Sequence, residues 1–261
     1  MKANYRNWVP KYLLYLLAFF AFLCYLIAAF LQGLLQSVKK KALFSSVFLA
    51  AGTILTGIFL WMTRMYCAFS YNGNRKLSKE IVEGVSDYVK APESGLILDV
   101  GCGSGALTIA LAKKNPTAKI IGIDRWGKEY SSYSKKLCEQ NARAENVDNV
   151  EFREGNAINL DFPDESFDAV ASNYVYHNIV GVSRKKLLLE TLRLLKKGGS
   201  FAIHDIFSKG KYGDMQSFVK QLKDMGYEDV RLIDTTDDMF MTKKEAAIYS
   251  LRHSAILCGR K

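Results

Sequence analysis

Acidic residues are missing from the first quarter of the chain. Residues 1–66 carry Lys2, Arg6, Lys11, Lys39, Lys40, Lys41 and Arg64, and the first carboxylate is Glu80. Beyond residue 66 the balance is 29 basic against 26 acidic side chains. The net charge of +10 therefore belongs mostly to the N-terminal quarter and does not mark a nucleic-acid-binding surface. Proline is scarce, with four in 261 residues, which excludes collagen-like and proline-rich chains. Cysteine is scarce as well. Cys24, Cys67, Cys102, Cys138 and Cys258 form no C-x-x-C pair, and no histidine stands near them at ligand spacing. That excludes a disulfide scaffold and a zinc site, and fits the reduced thiols of a cytoplasmic domain. No metal is expected.

Two stretches lack charge altogether, residues 12–35 and 42–63. At ~1.5 Å per residue, a helix of either length crosses a hydrocarbon core of ~30 Å. Trp8, Tyr12 and Trp61 lie near the ends, where amphipathic rings favour headgroups. Gly52, Thr53, Thr56 and Gly57 let two helices approach closely in lipid. The expected organisation is a transmembrane hairpin over 1–66 and a second domain over 67–261. Lys2, Arg6, Lys11, Arg64, Arg75, Lys76 and Lys79 flank the hairpin's open ends, against Lys39, Lys40 and Lys41 in its turn. This bias places both ends, and the domain, on the cytoplasmic side of the cell membrane.

Beyond the hairpin, short apolar runs alternate with helical patterns. Strands are predicted at 96–100, 119–123, 150–153, 167–172, 200–203, 230–233 and 255–259. Helices are predicted at 77–90, 106–114, 128–141, 185–195 and 214–225. Such alternation gives an α/β fold, a doubly wound, mostly parallel seven-stranded sheet with helices on both faces. Ligands bind such sheets at the carboxyl ends of their strands.

The chemistry concentrates after the first strand. Leu96-Ile-Leu-Asp99-Val-Gly101-Cys102-Gly103-Ser-Gly105 places an acid two residues before three alternating glycines, where a helix opens. Glycines make the tight turn and let a ligand lie against bare backbone. Asp124 closes the next strand, 19 residues after Gly105, where a carboxylate can accept both hydroxyls of a ribose. The spacing Gly101-x-Gly103-x-x-Ala106 also fits a dinucleotide-dependent oxidoreductase. The preceding acid and the third alternate glycine favour a different family.

The sequence resembles the class I S-adenosylmethionine-dependent methyltransferases over about residues 75–205. ILDVGCGSGAL, IIGID, REGNAINLDFPDESFDAVASN and LRLLKKGGSFAIHD stand in that family's motif order. The resemblance implies S-adenosylmethionine as cofactor. It implies that Gly101, Cys102, Gly103 and Gly105 face the methionine and sugar, and that Asp99 orients the loop and reaches the amino group. It further implies that Asp124 holds the ribose, that Arg125 or Trp126 covers the adenine, and that Asn156 and Ala157 border the adenine edge. Asn156 replaces the Asp of many members. Asn173 would lie beside the methionine end.

Of three histidines, His177 and His204 fall just past strand ends on the cofactor side. A base matters only when the acceptor must lose a proton, and His177 is the candidate. Asn173 is followed by Tyr174-Val175-Tyr176, not by the Pro-Pro-aromatic of amino-methylating DNA enzymes. The stretch is similar to small-molecule methyltransferases, including quinone-ring enzymes. The expected acceptor is thus a small lipophilic molecule, with membrane lipids as surroundings and no nucleic-acid partner. Tyr66, Phe69 and Tyr71, directly after the second span, are candidates to guide it. A cofactor-binding scaffold or sensor without turnover is the alternative.

Asp124→Ala removes two charge-assisted hydrogen bonds to the expected ribose. It should weaken S-adenosylmethionine binding by about 2–4 kcal/mol in titration calorimetry; unchanged affinity excludes the assignment.

Overall fold

The computed structural model describes residues 2–34, 37–127 and 132–261. The chain forms two compact units, one of residues 7–78 and one of 79–261 joined by the segment ending at Arg6. This differs from the expected boundary at residue 66.

In the first unit, α1 (Lys11–Leu34) and α2 (Val38–Phe69) pack as a pair. Buried positions recur every seven residues along the pair, Leu14, Ala21 and Ala28 on α1 and Ser45 and Gly52 on α2, with Ala68 and Phe69 buried at the end of α2. A seven-residue seam of small side chains brings helices close along one line. The Tyr25 ring fills the space beside Gly52, where a Cβ would come within 2.9 Å of it. Tyr25 Oη and Thr56 Oγ1 are 3.2 Å apart, and Ser45 Oγ donates to the Ala28 carbonyl at 3.2 Å. Ser46, Thr53, Thr56 and Thr63 return their hydroxyls to carbonyls three or four residues earlier in α2. The Ser and Thr hydroxyls of α2 are thus satisfied without water, as an apolar surrounding requires. Tyr12, Phe30, Leu43 and Ile54 stay exposed, which a buried core helix would not allow. α2 continues past the expected span, and Phe69 is buried with its ring 5.1 Å from that of Trp8. Of the three rings expected to guide a substrate, Phe69 is therefore spent on packing.

In the second unit, seven strands form one sheet in the order β3-β2-β1-β4-β5-β7-β6. They are β1 (Leu96–Val100), β2 (Lys119–Asp124), β3 (Val150–Glu154), β4 (Phe167–Asn173), β5 (Leu195–Ile206), β6 (Glu228–Asp234) and β7 (Ser254–Arg260). Only β7 runs antiparallel to its neighbours. α3 (Leu77–Ser86), α4 (Ala106–Lys114), α5 (Lys135–Ala144), α6 (Arg184–Arg193), α7 (Lys209–Tyr212), α8 (Met215–Asp224) and α9 (Lys243–Ile248) complete it. Leu98, Val100, Val170, Phe201 and Ile203 of the sheet meet Leu188 and Leu192 of α6 and Phe218 and Leu222 of α8 in one core. The chain leaves β1 towards β2 on one side and returns to β4 on the other. The loops after β1 and β4 diverge there and open a crevice at the strand ends.

Several elements depart from the sequence expectation: α3 ends at Ser86, short of residue 90, α7 and α9 stand where no helix was expected, and two others follow. The helix expected over 128–141 is α5, which begins at Lys135; residues 128–131 lie outside the described residues. β5 begins at Leu195, although Gly198-Gly199 reads as a stop before a strand. The pair forms a bulge, since Phe167 opposes Leu195 but Ala169 opposes Ser200. A Cβ on Gly199 would lie 2.8 Å from the Asp168 carbonyl, so only glycine lets the bulge close.

Gly52→Val should push α1 and α2 apart and lower resistance to SDS unfolding in detergent by about 1–3 kcal/mol. Gly57→Val is the matched control, because nothing lies within 4 Å of its Cβ position; its midpoint should not fall.

Candidate active site

The glycine loop sits at the switch point and is held from outside. Gly101 and Cys102 both donate their N–H to the Ile123 carbonyl, at 2.8 and 2.9 Å, which binds the loop to the end of β2. Trp126 Nε1 donates to the Gly103 carbonyl at 2.9 Å, and Cys138 Sγ approaches the same oxygen at 3.2 Å. Asn141 Nδ2 donates to the Ser104 carbonyl at 2.9 Å. Cys138 and Asn141 stand three apart on α5, so one helix face turns both loop carbonyls away from the crevice. Gly101 has φ +77°, and its Cβ would strike Val175 at 2.3 Å. Gly103 has φ +54°, yet a Cβ there would meet only the Tyr133 ring, at 3.9 Å. Gly103 therefore presents bare backbone to open space. Burial pushes the Cys102 thiol well up, so it stays protonated.

Two carboxylates flank the loop. Asp99 is buried, and its Oδ2 accepts from Thr108 Oγ1 at 2.6 Å. Its Oδ1 has no hydrogen-bond partner among the described residues. Burial pushes its carboxyl up to about 7; the Thr108 bond opposes this and the charge of Asp124 adds to it. Asp124 accepts from the N–H of Gly103 (2.9 Å) through Oδ2 and of Trp126 (2.8 Å) through Oδ1. Each oxygen retains a lone pair. Arg125 is exposed and Trp126 half-buried at φ +42°. Asn156 and Ala157 lie one strand further along, beyond Gly155, whose N–H bonds the Asp124 carbonyl at 3.0 Å. Asn156 is exposed and its Oδ1 accepts from the Ile158 N–H at 3.0 Å; Ala157 packs on the core.

The ends of β4 and β5 form the facing wall. Asn173 Oδ1 and His204 Nδ1 are 2.8 Å apart, and His204 Nε2 lies 3.0 Å from Thr235 Oγ1. Burial lowers the His204 pKa to about 3, so this histidine is neutral and engaged at both nitrogens. His177 is different. It is the middle residue of a 3-10 turn (Tyr176–Asn178), and its Nδ1 is 2.5 Å from Asp205 Oδ1. The His177 N–H donates to Asp205 Oδ2 at 3.2 Å, and the Ile206 N–H to Oδ1 at 2.6 Å. Asp205 is fully buried. A carboxylate on Nδ1 fixes the tautomer and leaves Nε2 as an acceptor. Burial pushes the phenols of Tyr174, Tyr176 and Tyr212 up, which keeps them protonated. Asp205 was not singled out in the sequence; its signal is an acid closing an apolar strand, read only as a strand end.

Residues 93–247 match the family model described as a methyltransferase domain. The chain belongs to this family. It is 34% identical over 116 residues to a demethylmenaquinone methyltransferase of Lactobacillus johnsonii, covering 44% of this chain and 45% of that one. It is 33% identical over 99 residues to the release factor glutamine methyltransferase of Aliivibrio fischeri, 38% of this chain and 33% of that one. The chain thus spans about half or less of the length of these relatives. Its fold is shared with a geranyl diphosphate methyltransferase solved with GPP and sinefungin (TM-score 0.54, 14% identity, 76% of this chain and 82% of that one). It is shared also with the [4+2]-cyclase SpnF (TM-score 0.52, 18% identity, 74% and 84%). One fold thus carries different chemistries, and the site has to decide among them.

The methyltransferase's own residues fit S-adenosylmethionine. Asp99 Oδ1 is a buried acceptor that a cation would satisfy, and the open face of Gly103 lets a ligand reach bare backbone.

Asp99 also predicts a pH dependence. Its folded-state pKa is raised to about 7 above the unfolded value near 4, so folding favours the protonated form. The contribution to stability is complete below about pH 4 and is lost as pH rises through 7, at about 1.4 kcal/mol per pH unit. Denaturant unfolding of cofactor-free protein at pH 4.5, 6 and 7.5 should show this slope, and Asp99→Asn should flatten it relative to the parent.

Proposed function

We propose that this methyltransferase acts at a membrane surface and moves a methyl group onto a lipophilic acceptor that carries a removable proton. The observation that carries the reading is the His177–Asp205 pair, a histidine held at Nδ1 by a buried carboxylate on the wall facing the glycine loop. When bound, S-adenosylmethionine supplies a methyl group on a sulfonium, already a good leaving centre. The protein then has to place the acceptor in line and accept its proton. His177 Nε2 takes that proton, and Asp205 stabilises the imidazolium that results.

The remaining roles follow from position. Asp99 takes the amino group of the methionine moiety through Oδ1. Gly101, Cys102, Gly103 and Gly105 line its path, with Asn173 beside the methionine end. Asp124 accepts the ribose hydroxyls with its remaining lone pairs. Arg125 and Trp126 cover an adenine face, and Asn156 and Ala157 border its edge.

Three features support a lipophilic acceptor and a membrane anchor. α1 and α2 are long and apolar enough to cross a bilayer. The hydroxyls of α2 are satisfied internally. Relatives carry the name demethylmenaquinone methyltransferase, and an isoprenoid quinone is an acceptor of this class. The basic flanks at the open ends of the hairpin favour the cytoplasmic face. Confinement to a surface raises the effective concentration of an acceptor confined there too.

The test adds S-adenosylmethionine and membrane-lipid extract to the full chain in vesicles. A lipid component should gain 14 mass units. His177→Ala should lower kcat about 10²–10⁴-fold and leave cofactor affinity within twofold. Binding without consumption of the cofactor would identify a scaffold instead.

A further inference from the structure

The segment ending at Arg6 belongs to the cofactor-side unit. Its anchor is Asn141 on α5, a buried side chain 2% exposed. The Asn4 N–H donates to Asn141 Oδ1 at 2.7 Å. Asn141 Nδ2 donates to the Asn4 carbonyl at 3.1 Å and to the Ser104 carbonyl at 2.9 Å. The amide orientation follows from its partners: one is an N–H that needs an oxygen, and two are carbonyls that need donors. Both Nδ2 hydrogens are spent, one on the N-terminal segment and one on the glycine loop. Tyr5 is buried next to Asn4 in the chain, at 6% exposure. Asn4 Oδ1 then accepts from the N–H of Arg6 at 3.1 Å, and Arg6 takes φ +59°. The chain is thus docked before it turns towards α1.

We infer that the segment Asn4–Tyr5 braces the glycine loop through Asn141, so that cofactor affinity depends on residues placed ahead of the apolar hairpin. Asn141 is a positioning residue. With Asn4 bonded at both backbone atoms, the amide has one orientation, and that orientation holds the Ser104 carbonyl against α5. Without the segment, Oδ1 and one Nδ2 hydrogen face water, the side chain gains alternative rotamers, and the loop loses a fixed point. The inference rests on the reading of the glycine loop as the cofactor cradle.

The experiment uses the full chain in detergent micelles, with S-adenosylmethionine as probe. It compares the parent, a deletion of residues 2–6, Tyr5→Ala, Asn141→Leu, and the deletion combined with Asn141→Leu. Calorimetry gives Kd, and amide hydrogen exchange reports on the peptide 101–107. The deletion and Asn141→Leu should each raise Kd about five- to twenty-fold, the effect of one or two hydrogen bonds. The combined variant should be no weaker than Asn141→Leu alone. Exchange in 101–107 should rise in every variant, while the core strands β1 and β4 stay protected. Tyr5→Ala keeps the chain length and serves if the deletion does not fold. A Kd within twofold of the parent, with unchanged exchange in 101–107, overturns the brace, as do multiplicative effects in the combined variant. If the parent binds no S-adenosylmethionine, the cofactor reading fails. The exchange measurement then still decides whether the segment holds the loop.

Discussion

Gly103 is fixed at both of its backbone polar atoms. Its N–H goes to Asp124 at 2.9 Å, and its carbonyl takes Trp126 Nε1 at 2.9 Å and Cys138 Sγ at 3.2 Å. Those partners come from the end of β2, the loop beyond it, and α5. A side chain at this position would fill the space that the arrangement keeps clear. The rest of the crevice depends on this residue. Asp124 is oriented by the loop it orients, and α5 is drawn towards β1 by the carbonyls it receives. The cost is one buried acid, Asp99, with an oxygen left unsatisfied. A site that keeps such a group is organised for a ligand before the ligand arrives.

The legible part of the fold was its local part. The strand β1, the glycine loop and α4 follow from apolar run, turn residues and helix opening within about twenty residues. The same holds for Asp124 at the end of β2. The parts that were missed depend on partners far away in the chain. Gly198-Gly199 stops a helix on local grounds, yet it forms a bulge because Asp168 on β4 approaches its backbone. His177 and His204 look alike in sequence, each just past a strand end. Burial and partners separate them, and the partner that matters for His177 lies 28 residues away at Asp205. α9 shows the opposite case. Its capping box, Thr242 with Glu245, is a local signal, but a helix of six residues gives too short a period to read.

The N-terminal unit obeys the same division. Its two long helices were legible because charge was absent over long runs. Its seam was legible only in outline: glycine and threonine marked α2, while the seven-residue spacing of Leu14, Ala21 and Ala28 was hidden among equally apolar neighbours. Phe69 looked like a ring that could guide a substrate and proved to be a packing residue against Trp8.

The bond between Asn4 and Asn141 joins residues 137 apart, and that distance has a meaning in time. Asn4 is made before its partner, which follows only after both apolar helices. At about 5–20 residues per second, the wait is on the order of ten seconds. During that interval Asn4 lacks this partner. Closure of the contact therefore waits until both helices of the N-terminal unit and most of α5 have been made, so the brace is set after the elements between its two ends.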